Sequence, residues 1–233
     1  MQNAHSRNAL SSFIEKAEQV THKMRGRKIV HYLHVGKTGG TAIKHALQTL
    51  LINERYAIYL HRHTFTLRDI PVGEGVFFFL RDPITRFVSG FYSRLRQGQP
   101  RTFNPWRPSE KIAFEYFDTP NKLATCLTST DEEEKAKAQN AMQGIGHVSK
   151  HFSRWFESEA YFLSRLSDIM AIGFQESLNE DFERLKLILH LPKQVKLPSD
   201  EIHSHKNPEN LDKRLDPVAI ENLKNWYQED YKF

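Results

Sequence analysis

Residues 30–41 read Val30-His31-Tyr32-Leu33-His34-Val35-Gly36-Lys37-Thr38-Gly39-Gly40-Thr41, and the fold is decided here. The apolar run from Ile29 to Val35 stops at Gly36, and Ala42, Ile43, Ala46, Leu47 and Leu50 then recur at helical spacing. A strand that ends in a glycine turn and enters a helix exposes backbone N–H groups beside the positive end of the helix dipole. Lys37 adds a full charge at that point, and Thr38 and Thr41 add hydroxyls. Gly36, Lys37, Thr38, Gly39, Gly40 and Thr41 are therefore expected to bind an anion of the phosphate or sulfate type. The nucleotide-hydrolase loop, Gly-x-x-x-x-Gly-Lys-Ser/Thr, fits only at its end, because its first glycine would fall on His31.

A second apolar strand, Val76 to Leu80, runs into Arg81-Asp82-Pro83. Asp82 suits a helix N-cap and Pro83 the first helical position. Ile84, Phe87, Val88, Phe91 and Leu95 form the buried stripe of that helix, with Ser89 on another stripe two turns along. Arg81 then stands at the carboxyl end of a strand. The other reading of Asp82, a magnesium ligand in a kinase or ATPase, is weaker because the residue already explains a helix start.

Tyr56 to Leu60 and Ile169 to Phe174 read as further strands, and residues 11–24 as a helix. Helices are expected through an insertion at about 109–160, with the acidic run Asp131 to Glu134 opening one of them. Ser177-Leu178-Asn179-Glu180 reads as a capping box, with Leu178, Phe182, Leu185 and Leu189 turned inward. Asp216-Pro217 opens a last helix with the stripe Ile220, Leu223, Tyr227 and Tyr231. Strands alternating with helices predict one α/β domain over residues 1–233, with a mostly parallel sheet covered on both faces. Ligands of such sheets lie outside the carboxyl ends of the strands, where Lys37 and Arg81 both fall.

The 233 residues carry 33 Lys and Arg, 28 Asp and Glu and a formal charge of +5, with 16 phenylalanines for the core. Six arginines and one acid lie between Arg81 and Arg107, a field that attracts anions. No nucleic-acid module signature accompanies it, so nucleic acid is not an expected partner. Mean hydropathy is −0.59 and no apolar run approaches membrane length, so no spanning helix is expected. Met1 to Leu10 hold no apolar signal core, Cys126 is the single cysteine, and no Asn-x-Ser/Thr acceptor occurs. These features point to a reducing, bacterial-type cytoplasm.

Leu60-His61-Arg62-His63 supplies a candidate base. Histidines at i and i+2 of an extended segment share a side, and their pKa range suits proton removal near neutrality. Coincidence among 12 histidines ranks second, and a zinc pair with His31 and His34 third.

The Gly36-to-Thr41 loop resembles the 5′-phosphosulfate loop, Pro/Gly-Lys-Thr-x-Gly/Ser-Thr, of sulfotransferases that use 3′-phosphoadenosine-5′-phosphosulfate (PAPS). Arg81-Asp82-Pro83 with Arg86 and Ser89 resembles that family's Arg-Asp-Pro-x-x-Arg-x-x-Ser motif. His61-Arg62-His63 resembles the histidine pair of the uronosyl/heparan 2-O-sulfotransferase branch, and Ile145 to Ser149 its Gly-His element. The resemblance implies a P-loop-like three-layer fold and in-line transfer of a sulfuryl group from PAPS to a carbohydrate hydroxyl, without a metal. By position it implies Arg81 and Ser89 on the 3′-phosphate, Lys37 on the leaving oxygen, His61 as general base with His63 as helper, and Lys206 in a loop over the nucleotide. The chain lacks the anchor, paired cysteines and glycosylation sites of the eukaryotic branch. A bacterial relative is implied, acting on a polysaccharide or lipid-linked glycan in the cytoplasm or at the inner membrane surface. A nucleotide-dependent kinase or ATPase, and a non-catalytic anion- or glycan-binding protein, remain the other readings.

Overall fold

A computed structural model describes residues 15–100, 102–198 and 211–233. Residues 15–24 are helical and lead into β1, Lys28–Leu33. Then come α1 (Gly40–Leu47), β2 (Tyr56–Leu60), β3 (Gly75–Leu80) and α2 (Pro83–Leu95). The insertion holds α3 (Pro108–Tyr116), α4 (Pro120–Thr125), α5 (Glu132–Gly144), α6 (Ser153–Phe156) and α7 (Glu159–Ser164). The chain returns to the sheet as β4 (Ile169–Phe174), followed by α8 (Leu178–Ile188) and α9 (Pro217–Trp226).

The strands lie in the order β2-β1-β3-β4 and all pair in parallel, with His31 opposite both Tyr59 and Val76. Alternation sends successive side chains to opposite faces. Val30, Tyr32, Phe77 and Phe79 pack under α1 and α8 with Ile43, Leu47, Phe182 and Leu185. Leu33, Val76, Phe78 and Leu80 pack on the other face against Trp155, Phe156 and Phe162. With both faces covered, β3 reads as an unbroken apolar run and β1 as one interrupted by His31. A further core joins α2 and α9 to the insertion through Phe87, Phe91, Leu123, Met142 and Tyr227. The expected three-layer α/β fold is thus present.

Local details depart from expectation at two points. Ser177 caps no backbone N–H of α8; its hydroxyl donates to Asp181 instead, at 2.6 Å, so the expected capping box is absent. Tyr231 falls outside α9 and is half exposed, because that helix ends at Trp226 and the chain tightens into a 3₁₀ turn. The helix expected from residue 11 is described only from residue 15, and Lys206 lies outside the described residues.

Candidate active site

Parallel pairing brings the carboxyl ends of all four strands to one edge of the sheet. A cleft of about 850 Å³ opens there, lined by Lys37, Gly39, Gly40, Thr41, Arg81, Ser89 and His63. His34, His147, Lys213 and the two acids Glu176 and Glu180 are also in its polar wall.

The turn after β1 is built from backbone. Lys37 has φ 70° and Gly39 φ 82°, two left-handed residues that reverse the chain before α1. Thr38 is buried, and its hydroxyl donates to the Val35 carbonyl at 2.9 Å, closing the turn. Gly36 and Thr38 therefore shape the loop without lining the cleft. At Gly40 a Cβ would collide with the His34 ring and lie 2.8 Å from the Tyr32 hydroxyl, so only glycine lets α1 start this close to β1. No side chain caps α1 and no acid lies in its first turn, which leaves its positive end for an anion.

Arg81 leaves β3 toward the same point. Its guanidinium donates to the Lys37 carbonyl at 3.5 Å and to Thr85 Oγ1 at 3.0 Å. Burial, then the Arg96 and Arg81 charges, pull the Lys37 ammonium down to about 7. Burial also lowers the Arg81 pKa, with Glu176 and Asp82 opposing. Asp82 caps α2 by accepting from Thr85 N at 2.9 Å, and its second oxygen accepts from the Tyr231 hydroxyl at 3.1 Å. That carboxylate is engaged as a cap, as its position before Pro83 predicts.

The two histidines of the β2 turn separate. The strand ends at Leu60, so the alternation that would have kept them on one side no longer applies. His61 is buried, its Nε2 2.7 Å from His31 Nδ1, its ring stacked on Phe65 with centroids 3.6 Å apart. It does not line the cleft, which corrects the expectation of a shared side. His63 does line it, with its ring 3.7 Å from that of His34. His63 is exposed as a whole residue, but partial desolvation of its ring against the cleft wall, then Lys150 and Lys44, pull its pKa down to about 4, while a hydrogen bond to the His34 backbone opposes. Trp155 braces the turn: its indole N–H donates to the His63 carbonyl at 3.1 Å, and its ring packs against Gly36.

His34 and His147 also line the cleft; the sequence offered His34 only in the zinc reading and His147 only as part of a Gly-His element without an assigned task. For His34 a signal exists, since it follows β1 on the face of Tyr32. His147 comes from the insertion, packed on Gly90 of α2, and only tertiary structure brings it in. Burial, then Lys37 and Lys150, hold its pKa at about 2, so the ring is neutral. Among the described residues no three His, Cys, Asp or Glu side chains are grouped to hold a metal ion.

A family model described as the sulfotransferase family matches residues 21–233. A search of curated proteins finds no match. Among the described residues no helix is long and apolar enough to cross a membrane.

Proposed function

The chain belongs to the sulfotransferase family, whose chemistry is sulfuryl transfer, and we propose that it sulfates a carbohydrate hydroxyl with PAPS as donor. One observation carries the reading: Lys37 and Arg81, from different strands, meet in one cleft, 3.5 Å from guanidinium to carbonyl. A nucleotide with phosphate groups at both ends of its ribose needs two such cationic points. The residues fit it. The glycine turn and open start of α1 suit the 5′ end; Arg81 and Ser89 suit the 3′-phosphate; the cleft volume suits a nucleotide.

When bound, PAPS supplies the activated sulfuryl group, whose S–O bond to phosphate breaks as the bond to the acceptor oxygen forms. Lys37 and the N–H groups at Thr38 to Thr41 stabilise the charge that grows on the leaving phosphate oxygen. That task needs the ammonium form, and an anion beside Lys37 raises its pKa from about 7 and restores the proton. His63 takes the acceptor proton. The His34 backbone holds one ring nitrogen, leaving the other bare. Desolvation, then its cationic neighbours, keeps it neutral, and the negative charge of a bound donor offsets the cations and strengthens it as a base. The base assignment thereby moves from His61 to His63. Lys37, Arg81 and Lys213 in the cleft wall, with the Lys150 and Lys44 charges acting on His63 nearby, suit an anionic polysaccharide or lipid-linked glycan acceptor.

Titration calorimetry with adenosine 3′,5′-bisphosphate against ATP-magnesium tests the class. Preference for the bisphosphate, with sulfate transfer from PAPS to a glycan, is expected. Preference for ATP-magnesium with phosphate release would overturn it.

A further inference from the structure

A chain of polar groups, buried except for its outer end at Lys23, crosses one face of the sheet, and sulfuryl transfer as derived above makes no use of it. It starts at Lys23, whose ammonium lies 2.6 Å from Glu74 Oε1. Glu74 Oε2 lies 2.6 Å from His31 Nε2, and His31 Nδ1 lies 2.7 Å from His61 Nε2. His31, Glu74 and His61 are 1%, 7% and 8% exposed, so water competes little for these bonds. Glu74 precedes β3, His31 is central in β1 and His61 follows β2. The chain thus runs from the strand edge opposite the cleft to the edge that carries it. An apolar filling would hold this face at lower cost than buried ionisable groups.

Its proton order follows from chemistry. Burial works against the Glu74 charge, but Lys23 and His31 outweigh it and keep the carboxylate ionised. An ionised carboxylate only accepts, so His31 donates from Nε2. Burial lowers the His31 pKa although Glu74 opposes, so the ring is neutral and its Nδ1 is bare. His61 must then donate from Nε2. Burial, then His31 and Lys44, hold His61 at about 3, so it too is neutral, with Nδ1 bare. The groups acting on these rings are Lys23 and Glu15 at His31, Lys44 at His61, and Tyr59, whose ring stacks on His31.

We propose that Glu74 is a positioning residue: through His31 it sets the tautomer of His61 and so fixes the turn that presents His63 to the cleft. His61 is held by His31 on one side and by the Phe65 ring on the other, and Phe65 N donates to Arg62 O at 3.1 Å. His63 stands between those two anchors. The proposal rests on His63 being the base, but the bond order holds whatever the protein transfers.

The test is 15N NMR of histidine-labelled protein at pH 7 with adenosine 3′,5′-bisphosphate present. In the wild type both His31 and His61 carry their proton on Nε2. In Glu74→Gln the amide oxygen accepts from Lys23 and the amide N–H turns to His31 Nε2, so the protonated and bare nitrogen signals of both rings exchange places, and rings that keep the wild-type order overturn the proposal. The His63 signals and titration midpoint move with them, while calorimetric affinity for the bisphosphate is unchanged. Glu74→Asp, which keeps a carboxylate, restores the wild-type order. A wild-type His61 protonated on Nδ1 overturns the proposal, and that reading needs no variant to fold. So does a Glu74→Gln protein with exchanged tautomers and unmoved His63 signals. Absent bisphosphate binding in the wild type would sink the sulfotransferase reading instead, with the tautomers still legible.

Discussion

The loop after β1 and the turn after β2 present groups to the same cleft by opposite means. The first is a backbone device: two left-handed residues, a buried threonine closing the turn and an uncapped helix start. The second is a side-chain device, in which His63 faces the cleft only because His61, Phe65 and Trp155 are anchored elsewhere. A backbone cradle works wherever its own short sequence occurs. A side-chain presentation depends on partners far along the chain, and it fails when any one of them is lost.

Substitutions separate the two devices. His63→Ala removes the base and lowers kcat by about 10²–10⁴-fold with bisphosphate affinity intact. Collapse of that affinity would move His63 from the base to the nucleotide. Lys37→Ala costs about 10²–10³-fold in kcat while thermal unfolding stays cooperative. Near-normal turnover would remove its leaving-group role. Arg81→Ala weakens bisphosphate binding by about 1.5–3 kcal/mol, read by calorimetry, the loss of one charge-assisted hydrogen bond. His61→Ala acts on the other side of the comparison. It strands the buried His31 Nδ1 and lowers unfolding free energy by about 1–3 kcal/mol in urea titration. A His61 variant of full stability would show that the relay anchors nothing.

The smallest effect is a pH dependence. Lys37 titrates at about 7 in the free protein and higher beside a bound anion. Above pH 7 the free ammonium has lost its proton and binding must take one up. Bisphosphate affinity therefore falls as pH rises, approaching about tenfold per unit. Calorimetry at pH 8 in buffers of different ionisation enthalpy measures that uptake, and none would be seen if Lys37 stayed charged throughout.

The same contrast explains what was legible in the chain. The strand spans Tyr56–Leu60 and Ile169–Phe174, the Asp82 cap and the glycine turn were readable, because each rests on neighbours within a few residues. The pairing of Lys37 with Arg81 followed from one rule about parallel sheets. The parting of His61 from His63 was not readable. It turns on where β2 stops and on His31 and Trp155, which lie 30 residues before His61 and 92 after His63. The place of His147 in the cleft was hidden for the same reason, although its Gly-His element was noticed, and so was the bond of Ser177, whose hydroxyl chose Asp181 over the backbone.

Lys37 sits at φ 70°, where a side chain other than glycine costs about 1–2 kcal/mol. The turn therefore holds a small internal tension at a cationic residue. Glycine in that place would yield a sturdier fold without the ammonium that the proposed transfer uses on its leaving oxygen. Sturdiness and chemistry pull against each other at this single residue, and the lysine marks which of them the molecule keeps.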